Sequence, residues 1–184
     1  MTGPHPRCPA EEILAFEHRF SCLRTAVYRW DVWAAAYLVG GGCSDDRFSD
    51  FTAGLVALGR EWYERAAACP DALAEHPAVR AAPGSGDLDV IFDQDLNFAA
   101  CSAYERLTGD WEDWAAYADA RVTTDAEGRG GMGESFAFGD DQQIRRRLPR
   151  LAALASCSSG ALVPHQPTFA LLLSAPAPFC ESAG

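Results

Sequence analysis

Between residues 13 and 37 the chain carries apolar side chains at Ile13, Phe16, Phe20, Leu23, Val27, Trp30, Ala34 and Tyr37, alternately three and four residues apart. That spacing lines them along one face of helical structure. A stripe of this length must be buried, so it commits the chain to helix packing within its first forty residues. Glu11 and Glu12, just after Pro9, complement the positive end of a helix starting there, and the triplet Gly40, Gly41, Gly42 ends it. The phase runs unbroken past Tyr28, so one helix of about 29 residues and two helices in register both satisfy it.

A second helix is expected from Ser44, whose hydroxyl suits a cap, with Asp45 and Asp46 in the first turn. Phe48, Phe51, Leu55, Leu58 and Trp62 give it an apolar face, and it should stop before Pro70. Segments 1–39 and 44–68 then read as an antiparallel pair across a glycine turn. Asp71 to His76 reads as a short helix closed by Pro77, and Pro83 to Gly86 as a surface loop. Helical spacing returns at Phe92, Leu96, Ala99, Ala103 and Leu107, with Gly109 as the stop, and a short helix should carry Trp111, Trp114 and Ala118.

From Val122 to Gly139 glycine density rises and periodicity vanishes, which predicts a mobile loop. Asp140 to Leu154 is helical through Ile144, Leu148 and Leu151, kinked or divided at Pro149. The expected fold is all-α: a single globular domain of six or seven helices over residues 10–155, with an irregular or poorly ordered tail over 156–184. Among the last 28 residues Glu181 is the one charged side chain. With 184 residues and 48% hydrophobic content, the chain can bury roughly 70% of its unfolded surface, enough for a real core.

The charge sum is 15 basic minus 26 acidic residues, or -11, and every basic residue counted is arginine. Without lysine there can be no Schiff base and no phosphate-loop lysine. So acidic a surface also argues against a nucleic-acid partner. No apolar run reaches the ~18 residues of a membrane span, and the N-terminus has no signal-peptide apolar region, so a cytoplasmic location is expected. Seven scattered cysteines without a Cys-x-x-Cys pair fit neither a disulfide framework nor a zinc knuckle, and read as small buried apolar residues.

The block from Ala26 to Leu38, with Tyr28, Arg29, Trp30, Asp31 and Trp33, followed by Gly41 to Asp46, Phe48, Phe51, Gly59 and Arg60, resembles the bacterial domain-of-unknown-function family numbered 4240. The likeness continues through Tyr104 to Gly109 and Arg146 to Leu151. The resemblance implies a small helical bacterial domain and supplies no catalytic residues.

The segment Gly40 to Asp50 concentrates the polar chemistry. A phosphate cradle at the helix start is opposed by Asp45 and Asp46, which already occupy the positive pole. A cation suits it better: Asp46 and Asp50 lie one turn apart on one face, with Asp45 about 100° away around the helix. Capping and dipole complementarity call for the same residue types and are the simpler account. Cys43 beside a helix start is a candidate nucleophile, but the neighbouring carboxylates oppose its thiolate and no histidine is close in sequence. Arg60 is the candidate basic group.

Three further groupings are weighed against structural roles. His18 and Cys22 have the spacing of two metal ligands, though a partly buried histidine beside a core thiol explains them as well. Trp30, Trp33 and Trp62 have the makings of an aromatic cage but suit a core, with Asp31 accepting from a tryptophan or an arginine. Arg145, Arg146, Arg147 and Arg150 are expected to pack back onto Asp87, Asp89, Asp93 and Asp95. Two functions remain open. One is a non-enzymatic interaction or regulatory module that meets a basic protein, with no nucleic acid, membrane or cofactor. The alternative is a small divalent-cation-dependent hydrolase-like enzyme using Asp45, Asp46 and Asp50 with Cys43 and Arg60.

Overall fold

The computed structural model describes residues 10–81, 91–117 and 131–158, and the described residues are helical or irregular, without a strand. In chain order α1 is Ala10–Ala26, α2 Trp30–Gly40, α3 Asp45–Ala57 and α4 Arg60–Ala68. A 3-10 helix, Pro70–Glu75, leads into α5, Pro77–Ala81. Then come α6, Gln94–Thr108, α7 over residues 111–117, α8, Asp141–Arg147, and α9, Pro149–Ser158. No helix among the described residues is long and apolar enough to cross a membrane.

The all-α expectation holds, but the described residues contain more helices than six or seven, because three long periodic runs are divided. The first breaks at residues 27–29, where Arg29 is extended at φ -139° and ψ 154°. Its guanidinium holds the break: Nε and Nη2 donate to Asp31 at 3.0 and 3.2 Å, and Nη2 donates to the Ala67 carbonyl at 2.8 Å. The second run, expected unbroken over 44–68, splits at Gly59, whose φ of 85° a side chain rarely adopts. The third divides at Pro149, the first residue of α9, where its missing N–H costs nothing. The short helix before Pro77 ends as expected, at Glu75 with His76 extended, and Pro77 then begins α5.

Two cores result. The larger gathers Val32, Trp33, Phe48, Phe51 and Leu55 from α2 and α3 with Leu73, Val79, Ile144, Leu148 and Leu151. The smaller joins Ile13 of α1, Ala100 and Tyr104 of α6, and Trp114 of α7. Segment 131–138 corrects the expectation of a mobile loop, since it is a strap laid on the larger core. Trp30 N–H donates to the Met132 carbonyl at 3.0 Å, and the Phe138 ring lies 6.0 Å from Trp30 and 5.7 Å from Tyr37. Periodicity cannot reveal a strap, because an irregular segment buries whichever side chains its turns direct inward. The expected loop at Pro83 to Gly86, the first part of the glycine-rich stretch and the tail beyond Ser158 lie outside the described residues.

Candidate functional site

The turn between α2 and α3 is built by glycine and closed by aromatic rings. Gly41, at φ 62°, terminates α2, and the N–H of Gly42 donates to Tyr37 at 2.9 Å. Gly40 is packed so closely that a Cβ there would lie 2.9 Å from the Phe92 ring. That ring also packs 5.3 Å from Phe51 and lies under the Arg47 guanidinium at 4.6 Å. On the inner side, Trp33 Nε1 donates to the Cys43 carbonyl at 3.2 Å.

Ser44 caps α3, accepting from the Arg47 N–H at 3.4 Å, and Asp45 and Asp46 stand exposed in the first turn. These are the positions at which carboxylates stabilise a helix start. Asp50, one turn further, turns toward α6: its Oδ1 accepts from Asn97 Nδ2 at 3.0 Å, while its backbone carbonyl accepts from the Asp93 N–H at 3.1 Å. Asp46 and Asp50 thus share a helix face, with Asp50 drawn into an inter-helix hydrogen bond. Among the described residues no three His, Cys, Asp or Glu side chains are gathered as a metal would need.

Cys43 is a free, half-buried thiol whose Sγ lies 3.5 Å from the Ser44 carbonyl. Burial pushes it up to about 12; Asp45 and Asp50 add to the rise and Arg47 opposes it. At neutral pH it is therefore a protonated thiol, the reverse of an activated nucleophile. Arg60 stands at the far end of α3, ~18 Å along the axis from Asp45. There it pairs with Glu64 at 3.7 Å on an exposed surface. The structure does not bring it to the turn.

The remaining groupings are redistributed. His18 Nδ1 and Cys22 Sγ do meet at 3.7 Å, but both are exposed, so the core-thiol expectation is corrected. Trp30 and Trp33 stack with centroids 5.5 Å apart, whereas Trp62 belongs elsewhere, edge-on to His76 at 4.7 Å and under Arg65 at 4.2 Å. Asp31 accepts from Arg29, not from a tryptophan. Two members of the arginine cluster pack back on the body at carboxylates other than those expected, of which Asp87 and Asp89 lie outside the described residues. Arg147 pairs with Glu134 at 2.9 Å, and Arg150 pairs with Asp71 and Glu75. Asp93 instead caps α6, accepting from the Leu96 N–H at 2.8 Å.

Sequence reasoning missed Asp71. Its side chain is 7% exposed and accepts from the N–H groups of Arg150 and Leu151 at 3.0 and 2.9 Å and from Arg150 Nε at 3.0 Å. It is a cap for α9 supplied from 79 residues away. Glu75 joins Arg150 to Arg65 beside it. A signal was present: Leu148, just before the Pro149 helix start, has no side-chain acceptor, so the exposed N–H groups of α9 had to be met from elsewhere.

The fold and this turn define an all-α domain whose densest polar segment starts a helix. The family model for proteins of unknown function DUF4240 matches residues 6–106, more than half of the chain. The chain belongs to that family. No curated protein and no solved structure matches it.

Proposed function

We propose that the chain is a non-enzymatic interaction or regulatory module whose acidic surface engages a basic protein partner. The observation that carries this reading is how the arginines are used. Arg29, Arg60, Arg65, Arg147 and Arg150 are each committed to a carboxylate of the same chain. The chain as a whole carries a formal charge of -11. Exposed carboxylates stand at Asp45 and Asp46 and again at Asp110, Glu112 and Asp113, where Trp111 is 54% exposed. Such a surface accelerates encounter with a cationic partner, and an exposed tryptophan among acids receives an arginine or lysine side chain on its ring.

The test is affinity capture of the partner followed by binding of the purified pair. The expected result is a partner with a basic contact surface and an association rate that falls at least tenfold as salt rises from about 0.05 to about 0.5 M. Trp111→Ala should weaken binding with the fold intact. A neutral or acidic partner surface, or salt-independent association, would overturn the proposal.

A further inference from the structure

The apolar stripe of α1 is only partly used. Ile13, Phe20 and Val27 are buried, but Phe16 is 43% and Leu23 38% exposed. These two lie seven residues apart, so they are about 20° apart around the helix and ~10 Å apart along it, one continuous apolar line. Phe16 stacks on the buried Phe20 at 5.6 Å, which makes the line a fixed platform. Nothing among the described residues takes it into a core cluster.

The segments outside the described residues differ sharply in their capacity to cover it. Residues 1–9 contain one large aliphatic side chain, Met1; residues 82–90 contain Leu88 and Val90, and residues 118–130 contain Val122. Residues 159–184 hold the run Phe169, Ala170, Leu171, Leu172 and Leu173, with Glu181 as their one charge. That run begins eleven residues after α9 ends at Ser158. Eleven residues reach up to ~36 Å, close to the ~38 Å diameter of a domain of this size. We propose that the Phe16 and Leu23 face of α1 is the docking surface for the chain's own segment 169–173. Seating the run there removes two incomplete apolar surfaces from water at once, and the segment carries no charge that would have to be desolvated.

The experiment compares full-length Leu23→Cys with full-length Phe98→Cys. Phe98 is 53% exposed on the side of α6 opposite the buried Ala100 and serves as the uncovered reference. Maleimide labelling is read position by position by peptide mass mapping. Leu23→Cys should label at least tenfold more slowly than Phe98→Cys. Replacing Phe169, Leu171 and Leu173 with Asp should speed labelling at position 23 at least tenfold and leave position 98 unchanged. Labelling at 23 as fast as at 98, or protection that survives the Asp substitutions, overturns the proposal. Protection lost on dilution of the unsubstituted tail assigns the face to a second copy and overturns it as well.

Discussion

Removing the Asp71 carboxylate tests the distant cap most sharply. In Asp71→Ala the N–H groups of Arg150 and Leu151 lose their acceptor, and Leu151 is 2% exposed, so water cannot replace it there. Loss of a cap costs about 1 kcal/mol, and an unsatisfied buried N–H a further 1 to 2 kcal/mol, on the order of the desolvation it has undergone. The ion pair with Arg150 adds little, because that side chain is 46% exposed and screened. The sum is about 2 to 3 kcal/mol. With a urea m-value of about 2.5 kcal/mol/M, the midpoint should fall by about 0.8 to 1.2 M. Asp71→Asn keeps one acceptor oxygen and should cost about half as much. Arg150→Ala keeps its backbone N–H on Asp71 and should lower the midpoint clearly less than Asp71→Ala does. Equal losses in Arg150→Ala and Asp71→Ala would refute the reasoning, because the ion pair and not the cap would then carry the energy. So would an Asp71→Ala midpoint within experimental error of the wild type.

Three other perturbations have defined outcomes. Gly54→Ala raises helix propensity by up to about 1 kcal/mol, but its Cβ would lie 2.0 Å from the Ile91 carbonyl oxygen, a backbone atom. The clash wins, and urea unfolding should show a net loss of about 2 kcal/mol or more; a stabilised variant would contradict the close packing of residues 91–93 on α3. At pH 8 a thiol at about 12 has a thiolate fraction of about 10⁻⁴, so iodoacetamide should modify exposed Cys22 far sooner than Cys43. Equal rates by peptide mapping would contradict that. Burial lowers the His76 pKa, so the unfolded chain binds more protons there below about pH 6.5. This contribution to stability is complete above that pH and lost as pH falls toward the folded pKa. Chemical unfolding at pH 5 and pH 7 should therefore show a smaller pH dependence in His76→Gln than in the wild type, and an unchanged slope would contradict it.

The legible part of the fold is what local periodicity controls. Spacings of three and four placed Ile13, Phe20, Val27 and Ala34 inside, and all four are buried. The same spacing also predicted Phe16 and Leu23 inside, where they are not, because periodicity identifies a face and not its cover. The break at residues 27–29 has no glycine or proline to announce it. It exists because Arg29 binds, besides the neighbouring Asp31, the Ala67 carbonyl 38 residues away, a contact that only the folded chain supplies.

The candidate site divides in the same way. Ser44 as a cap was visible, since its acceptor role is satisfied within three residues. Asp50 was read as a partner for Asp46, yet its hydrogen-bond partner Asn97 lies 47 residues away. Arg150 was expected to seek acid on the body and does so, but at Asp71 and Glu75, since composition shows that opposite charges exist and not which ones meet.

The carboxylates following the glycine triplet serve the start of α3 and its contact with α6: Asp45 and Asp46 stand in its first turn and Asp50 accepts from Asn97. Thermal unfolding of the wild type and of Asp50→Asn, with and without Mg²⁺, Mn²⁺ or Ca²⁺, tests it most directly. The expected result is a wild-type midpoint unmoved by each ion. A cation at a hundred times its Kd would add about 2.7 kcal/mol, or on the order of 5 to 10 °C for a chain of this length. A saturable rise of that size, absent in Asp50→Asn, would contradict the claim.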